Sequence, residues 1–561
     1  MAFIKTTIAL FLSIIMFISN GITSFIPGFI REPLSEDELR ALVTDFEQKP
    51  LADEIVVVRG VSKDERAAIQ SLQGLVGREA ASIFINFGGF EAEAELKDLE
   101  AAGAKLLYTD ENGKNWTLEN LIPRYLSHIK DNGYVLYTNS DTTEQINMAF
   151  NYATVYGWLV VPQSVEERVK AIGLEKKEDL TDDTLDFTQQ REFYEEHKDE
   201  FRKDVLIHLY WMASGLRDLA VQQRIFMCYV EDDDYLARTF RDRLFKDLEP
   251  ASMILGWCKY EVKYTQCASR FGHYVIPSDH SFNTSILTCN RVETAPMAQK
   301  AQAPELNPDK HYVAIVYSDG DNAQWISNGY AEYHTWQSYN IDTPITWTFA
   351  PQMKEFSSTA VKKAQDNNKM NNTFISGPSG AGYARISFMS TKDIRQFADR
   401  TAATMLDSGL RIVTLLNDPP ATAYDEWVYT NKLKNFAKYD NIDGGILQFD
   451  DDYYAGGHGK VYFENDKPFM SVRFSLWHPS GDAAQVNNEW LKEQAEIVNS
   501  YSADIDSING YSVINVHPWT VGPDDLAYFV SQLDDGVEVL PAAELLAAVA
   551  ENIPHKNAKP E

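Results

Sequence analysis

The chain has 561 residues, of which 44% are hydrophobic, 12% aromatic and 24% charged. That composition excludes an extended disordered protein, and at about 100 to 200 residues per domain the length predicts three or four packed units. The formal net charge of -31 is spread along the chain, so its field repels phosphate backbones and anionic lipid and argues against nucleic acid as a partner.

Residues 1–22 carry Lys5, an apolar stretch over 8–18 and then small or polar residues, the layout of a secretory signal peptide. The expected product is a secreted, extracellular protein with no membrane attachment once the leader is removed. From residue 50 to 163 short runs of β-formers (55–58, 82–85, 105–108, 134–137, 158–161) alternate with helical patterns and predict an N-terminal α/β domain. Gly88-Gly89 follows a strand without a phosphate-binding glycine pattern, which makes it a turn. Residues 164–204 are rich in Glu, Lys and Asp and read as exposed helix or linker. They open a middle α/β domain over 164–300 that holds all four cysteines, Cys228, Cys258, Cys267 and Cys289. In an oxidising compartment disulfides are expected among them, with three pairings open. Asn115, Asn283 and Asn371 begin N-x-Ser/Thr sequons.

Residues 293–310 hold three prolines and predict a linker, after which the rhythm changes. Strands are predicted at 312–317, 345–349, 373–376, 411–416, 445–449, 471–477, 512–516 and 537–540. Helices lie between several of them: one stripe of Ile394, Phe397, Ala398, Met405 and Leu406 ends at Gly409, and Pro541 opens the last helix. Eight strands over about 250 residues have the size of a (β/α)8 barrel. Residues 451–468 break the rhythm with a glycine-rich turn and a hairpin. The fold class is therefore α/β: an irregular (β/α)8-like barrel over 305–555 behind smaller α/β N-terminal domains, with an open doubly wound sheet as the alternative.

Parallel strands present reactive groups at their C-terminal ends. Reading those ends gives Asp319, Asp321 and Asn322, then Ser379 and Tyr383 in a glycine-rich run, then Asp418, Gln448 with Asp450, Trp477-His478, and His517 with Trp519. Asp319, Asp321 and Asp450 are the candidate catalytic carboxyls, because glycoside hydrolysis needs an acid and a nucleophile or base on opposite sides of the bond; Asp418 is the reserve. Asn322, Tyr383, Gln448 and His517 are candidate holders of sugar hydroxyls, with Ser379 a further candidate substrate-binding residue. Trp325, Trp347, Trp477 and Trp519 are candidate stacking faces. The run 376–383 is expected to let backbone N–H groups approach a ligand.

Gly380-Ala381-Gly382-Tyr383 resembles the signature of the GxGYxYP family of glycoside hydrolase-like proteins. Ser318 to Asn322 before Trp325, the run 347–351, Gln448 to Asp450 and Val516 to Trp519 are similar to other blocks of that family. So, upstream, are residues 71–78, Gly256-Trp257 with Glu261, and Pro277 to Asp279 with Asn283. The resemblance implies an exported protein with small N-terminal α/β domains and a barrel-like C-terminal domain acting on carbohydrate. Where the family name has Tyr-Pro this chain has Arg385-Ile386, so Arg385 becomes a candidate ligand of an acidic sugar. No cofactor or metal is expected on this reading. The alternatives are a deacetylase holding a divalent metal through Asp319 or Asp321 and His517, and a carbohydrate-binding protein without turnover.

Overall fold

The structure is a computed structural model that describes residues 32–561 except 89, 139–142, 183–186, 211–212, 231–234, 319–322, 324–325, 327–342 and 367–371. The expected leader, and with it Asp319, Asp321, Asn322 and Trp325, lies outside the described residues.

Three small parallel sheets open the fold. Strands β1 (Leu51–Arg59), β2 (Ala81–Asn86) and β3 (Lys105–Leu107) take the order β2-β1-β3; β4 (Gly133–Tyr137), β5 (Leu159–Pro162) and β6 (Glu175–Asp179) take the order β5-β4-β6. The third sheet, from β7 (Val205–His208), β8 (Met227–Cys228), β9 (Met253–Gly256) and β10 (Tyr274–Ile276), runs β10-β9-β7-β8. The stretch 50–163 thus contains one sheet and most of a second, which β6 completes by pairing with β4. The sequence hides β6 because Glu-Lys-Lys-Glu-Asp has no apolar residue: it is an edge strand, and charged side chains are what keep such an edge from pairing further.

Helix Lys63–Gly77 joins the three sheets. It packs on β2, on β5 and on helix Arg217–Gln223, and it is buried from Ala67 to Gly77. Asn283 ties the third unit to the first: its Oδ1 accepts from the Ile85 N–H at 2.9 Å and from Gln73 Nε2 at 3.0 Å, while its Nδ2 donates to the Ile85 carbonyl. A side chain buried in that way carries no glycan, so this sequon is a packing device. The four cysteines are free, buried thiols, and no disulfide joins them. They sit on β8, just after β9, in helix Glu261–Arg270 and after helix Thr284–Leu287, too far apart in the unit for the short Cα approach a disulfide needs.

The C-terminal region contains every strand read from the sequence, with ends shifted by a few residues: β11 (His311–Tyr317), β12 (Thr346–Phe349), β13 (Thr373–Ser376), β14 (Ile412–Asn417), β15 (Gly444–Phe449), the antiparallel hairpin β16 (Val461–Glu464) and β17 (Lys467–Ser471), then β18 (Phe474–Leu476), β19 (Tyr511–Val516) and β20 (Val537–Val539). They form one sheet in the order β16-β17-β15-β14-β13-β12-β11-β19-β18, with β20 also on β11. The sheet curls because one bent run serves both ends: β17 pairs with β15, and β18, two residues further on, pairs with β19. It is a curled half-barrel rather than a regular (β/α)8 ring. A hairpin replaces the helix after β15, and β20 pairs with only three residues of β11, the upper end of which goes to β12.

Alternation along the strands layers the inside of the curl. Tyr312, Ala314 and Val316 of β11, Ile412, Ile446, Met470 and Val513 pack with the last helix, Ala542–Asn552, each large aliphatic contributing about 1.5 to 3 kcal/mol by burial. The next inward positions along the same strands are Ser318, Thr414, Gln448 and Asn515, all fully buried. An apolar plug therefore lies under a polar floor at the C-terminal ends of the strands. Among the described residues no helix is long and apolar enough to cross a membrane.

Candidate active site

The polar floor has hydrogen-bonding capacity to spare. Gln448 Nε2 donates to Asn515 Oδ1 at 3.0 Å, whereas Gln448 Oε1, Thr414 Oγ1 and Ser318 Oγ are buried without a partner among the described residues. Leaving a buried polar atom unpaired costs about 1 to 3 kcal/mol, so such a cluster is worth keeping where a polar ligand docks.

Arg385 stands above the floor, fully buried. Its Nη1 donates to Asp418 Oδ1 at 2.7 Å and pairs with Asp450 Oδ2, and its Nε donates to Thr265 Oγ1 at 3.1 Å. Burial works against the guanidinium charge, and Asp450 with Asp418 more than offsets it, so Arg385 stays a cation. Burial also pushes the Asp450 carboxyl above the ordinary carboxylate range; Arg385 partly offsets that and the like charge of Asp418 adds to it. The segment after Arg385 is clamped by Lys432, whose Nζ donates to the carbonyls of Ile386, Ser387 and Met389 at 2.8, 2.8 and 3.0 Å. Burial pushes that ammonium down to about 8.

The glycine-rich loop is a docking device between units. Gly380 has φ +64°, and a Cβ there would meet Thr401 at 2.7 Å; a Cβ on Gly382 would meet Ile276 Cδ1 and Tyr274 Cδ2 at 2.6 Å each. That close approach lets Tyr383 exchange two backbone hydrogen bonds with Val275 of β10, at 2.8 and 3.0 Å. The loop N–H groups are taken up inside the protein: Gly380 donates to Thr414 O, Ala381 to Thr401 Oγ1 and Gly382 to Ser379 O. The expected approach of loop amides to a ligand is therefore replaced by an approach to the third unit.

Tyr383 carries the junction into the site. Its ring is buried with Trp257 edge-on at 5.6 Å, and its Oη donates to Glu261 Oε1 and lies 3.5 Å from Tyr454 Oη. Burial pushes its phenol well above the usual range, so it remains a donor. On the far side Trp477 and His517 stack face to face, centroids 3.6 Å apart and planes 4° from parallel, with Tyr454 edge-on to Trp477. Burial pushes His517 down to about 4, and its Nδ1 lies 3.1 Å from Thr520 Oγ1. Its imidazole is neutral near pH 7. Trp519, 43% exposed, lies on the rim.

The sequence-read candidates thus separate. Asp450, Asp418, Arg385, Gln448, Tyr383, Trp477 and His517 gather at the mouth of the curl. Trp347 lies in the core, 1% exposed, stacked on Tyr317 with its Nε1 donating to Asn372 Oδ1. Ser379 is equally buried, its Oγ accepting from the Leu416 N–H at 2.5 Å. Arg385 is occupied by protein carboxylates and Thr265 rather than turned to an acidic sugar. Glu261, Thr265 and Trp257 reach the site from the third unit, from which the strand-end reading drew no site residue. The signal was there, since all three follow the C-terminal end of β9, a parallel strand like those of the barrel. Among the described residues no group of three or more His, Cys, Asp or Glu is placed to hold a metal ion.

Comparison with known proteins matches three domains of one family in order along the chain: the "GxGYxYP_N second domain" over residues 132–201, the "GxGYxYP third domain" over 207–289 and the "GxGYxYP putative glycoside hydrolase C-terminal domain" over 309–550. The chain belongs to the GxGYxYP family. The three matches coincide with the second and third small sheets and the curled sheet, and the signature Gly380 to Tyr383 is the segment that docks the last two together. A crystal structure described as a putative hydrolase from Bacteroides thetaiotaomicron VPI-5482 has the same fold, with a TM-score of 0.76 at 24% identity over 93% of this chain and 98% of that one. No curated protein matches the chain. Where the GxGYxYP name has its second tyrosine, this member has the Arg385 hub.

Proposed function

We propose that this GxGYxYP protein is a glycoside hydrolase in which Asp450 is the proton donor to the leaving oxygen. The observation that carries the reading is the buried Arg385 holding Asp450 and Asp418 together at adjacent strand ends, with the Asp450 carboxyl pushed upward by burial. A general acid must be protonated when substrate binds, and burial beside a like charge favours that form. The stacked Trp477–His517 pair offers an apolar face for a sugar ring, and Gln448 below offers an acceptor that has no partner among the described residues. Export of the chain belongs to the same proposal, as does a role for Asp319 or Asp321. The deacetylase alternative asks His517 to hold a metal, and its ring is stacked on Trp477 with Nδ1 at Thr520.

The test is release of reducing sugar from a broad oligosaccharide panel by the full chain and by Asp450→Asn. The expected result is turnover by wild type and a loss of about 10² to 10⁴-fold in the variant, with activity largely kept on dinitrophenyl glycosides, whose leaving group needs no proton. Equal rates for both proteins on oligosaccharides overturn the assignment of Asp450.

A further inference from the structure

Helix Glu261–Arg270 belongs to the third N-terminal unit, yet one of its faces lies against the C-terminal site. Glu261, Thr265 and Ser269 recur every four residues and so form one stripe. Ser269 Oγ accepts from the backbone N–H of Arg385 at 2.9 Å, Thr265 Oγ1 accepts from Arg385 Nε at 3.1 Å, and Glu261 Oε1 accepts from Tyr383 Oη. The stripe follows the segment from Tyr383 to Arg385 outward: Ser269 and Thr265 are buried, and Glu261, at its outer end, is exposed.

Hydrolysis of a glycoside needs a second carboxyl across the bond from the acid. Asp418 shares one guanidinium nitrogen with Asp450, which holds the two contacting oxygens within about 5.5 Å, too close to leave room for a water between them. Glu261 reaches the site from the third unit, through Tyr383. Thr265 touches the Nε end of that guanidinium, and Glu261 is one helical turn, about 5 to 6 Å, beyond Thr265.

We infer that Glu261 is the second catalytic carboxyl of the site, contributed across the domain junction by the third unit and acting as the base that activates water. This rests on the glycoside hydrolase reading above. The role requires Glu261 and Asp450 to stand roughly 6.5 to 9.5 Å apart with a water between them, the arrangement of inverting hydrolysis. Asp450 gives its proton to the glycosidic oxygen as the bond from the anomeric carbon breaks. Water forms the new bond to that carbon and passes its proton to Glu261; both carboxyls then exchange with solvent, and one water is consumed. Tyr383, a donor held by Trp257, is the positioning residue for Glu261. The family signature and the third unit then have one purpose, to bring Glu261 to the mouth.

The experiment uses the full chain, Glu261→Gln and Glu261→Ala on an oligosaccharide and a dinitrophenyl glycoside that wild type cleaves. Glu261→Gln is expected to lose about 10³-fold in kcat on both substrates with KM within about threefold. An unchanged melting temperature is expected for Glu261→Gln, whose amide oxygen still accepts from Tyr383 Oη. Added formate or azide is expected to restore part of the turnover of Glu261→Ala, which a merely structural role would not allow. Rates for Glu261→Gln within about tenfold of wild type, with Asp450→Asn inactive on the oligosaccharide, overturn Glu261 alone. Absence of sugar release by wild type overturns the hydrolase reading and this inference together.

Discussion

At the scale of residues the site turns on one shared cation. Arg385 binds two carboxylates through the same nitrogen, so Asp450 feels both the guanidinium and the charge of Asp418. For Asp450 burial is the largest influence and Asp418 acts in the same direction, both favouring the protonated acid. Replacing Asp418 by Asn removes the repulsion while keeping a hydrogen-bond acceptor for Arg385, so the Asp450 carboxyl should become a stronger acid. The sign follows directly. An acid that must be protonated limits activity on the alkaline side, and strengthening it moves that limit to lower pH. The alkaline limb of kcat/KM in Asp418→Asn is therefore expected at lower pH than in wild type, with the acidic limb, set by the base, nearly unmoved. An alkaline limb that stays in place would mean that Asp450 is not the acid.

At the scale of elements the decisive feature is the contact between the Gly380–Tyr383 loop and β10. A Cβ on Gly382 would come within 2.6 Å of Ile276 Cδ1 and Tyr274 Cδ2 and 3.1 Å of the Val275 carbonyl. The Ile276 methyl can turn aside, but the buried Tyr274 ring and the β10 backbone cannot. Gly382→Ala is expected to cost about 1 to 3 kcal/mol in stability, read as a lower denaturation midpoint. Gly536→Ala, where a Cβ meets nothing within 4 Å, should stay within about 0.5 kcal/mol. Because the loop carries Tyr383 against Glu261, Gly382→Ala should also lower kcat more than the small unfolded fraction explains. The strands themselves were legible: alternation and runs of β-formers marked β11 to β20 and the β16–β17 hairpin. What could not be read was which face each strand turns to what. Trp347 looked like a strand-end platform, but β12 is buried along its whole length, and position along a strand does not say whether the neighbouring layer is solvent or another element. The polar end of β15 was legible, because Gln448 and Asp450 interrupt the apolar run of a buried parallel strand. Arg385 was named for the wrong partner, since no local pattern announces a salt bridge to residues 33 and 65 positions away.

At the scale of the whole molecule, separate units are each held by buried polar contacts of their own that include histidines, and that makes acid a specific threat. His273 in the third unit accepts the Ser252 N–H on Nδ1 at 3.2 Å and meets the Phe245 carbonyl with Nε2 at 2.8 Å. His311, at the start of β11, meets the Ser502 carbonyl and Ser512 Oγ, each at 2.8 Å. Burial pushes both imidazoles down to about 4, as it does His517. In the unfolded chain each returns to about 6.5. As pH falls from about 6.5 toward 4 the unfolded state takes up protons that the folded state refuses, so stability present above that window is lost within it, by up to about 1.4 kcal/mol per pH unit for each histidine. Asp218 and Asp450, whose carboxyls burial pushes up, act in the opposite direction, which makes the histidine contribution one to isolate by substitution. His273→Gln keeps an acceptor for Ser252 and a donor for Phe245 but cannot take a proton. Its melting temperature is expected to fall less between pH 7 and pH 4.5 than that of wild type, while the two proteins lie closer together in the acid than at neutrality. Parallel curves for variant and wild type would show that His273 is not among the groups through which acid opens the fold.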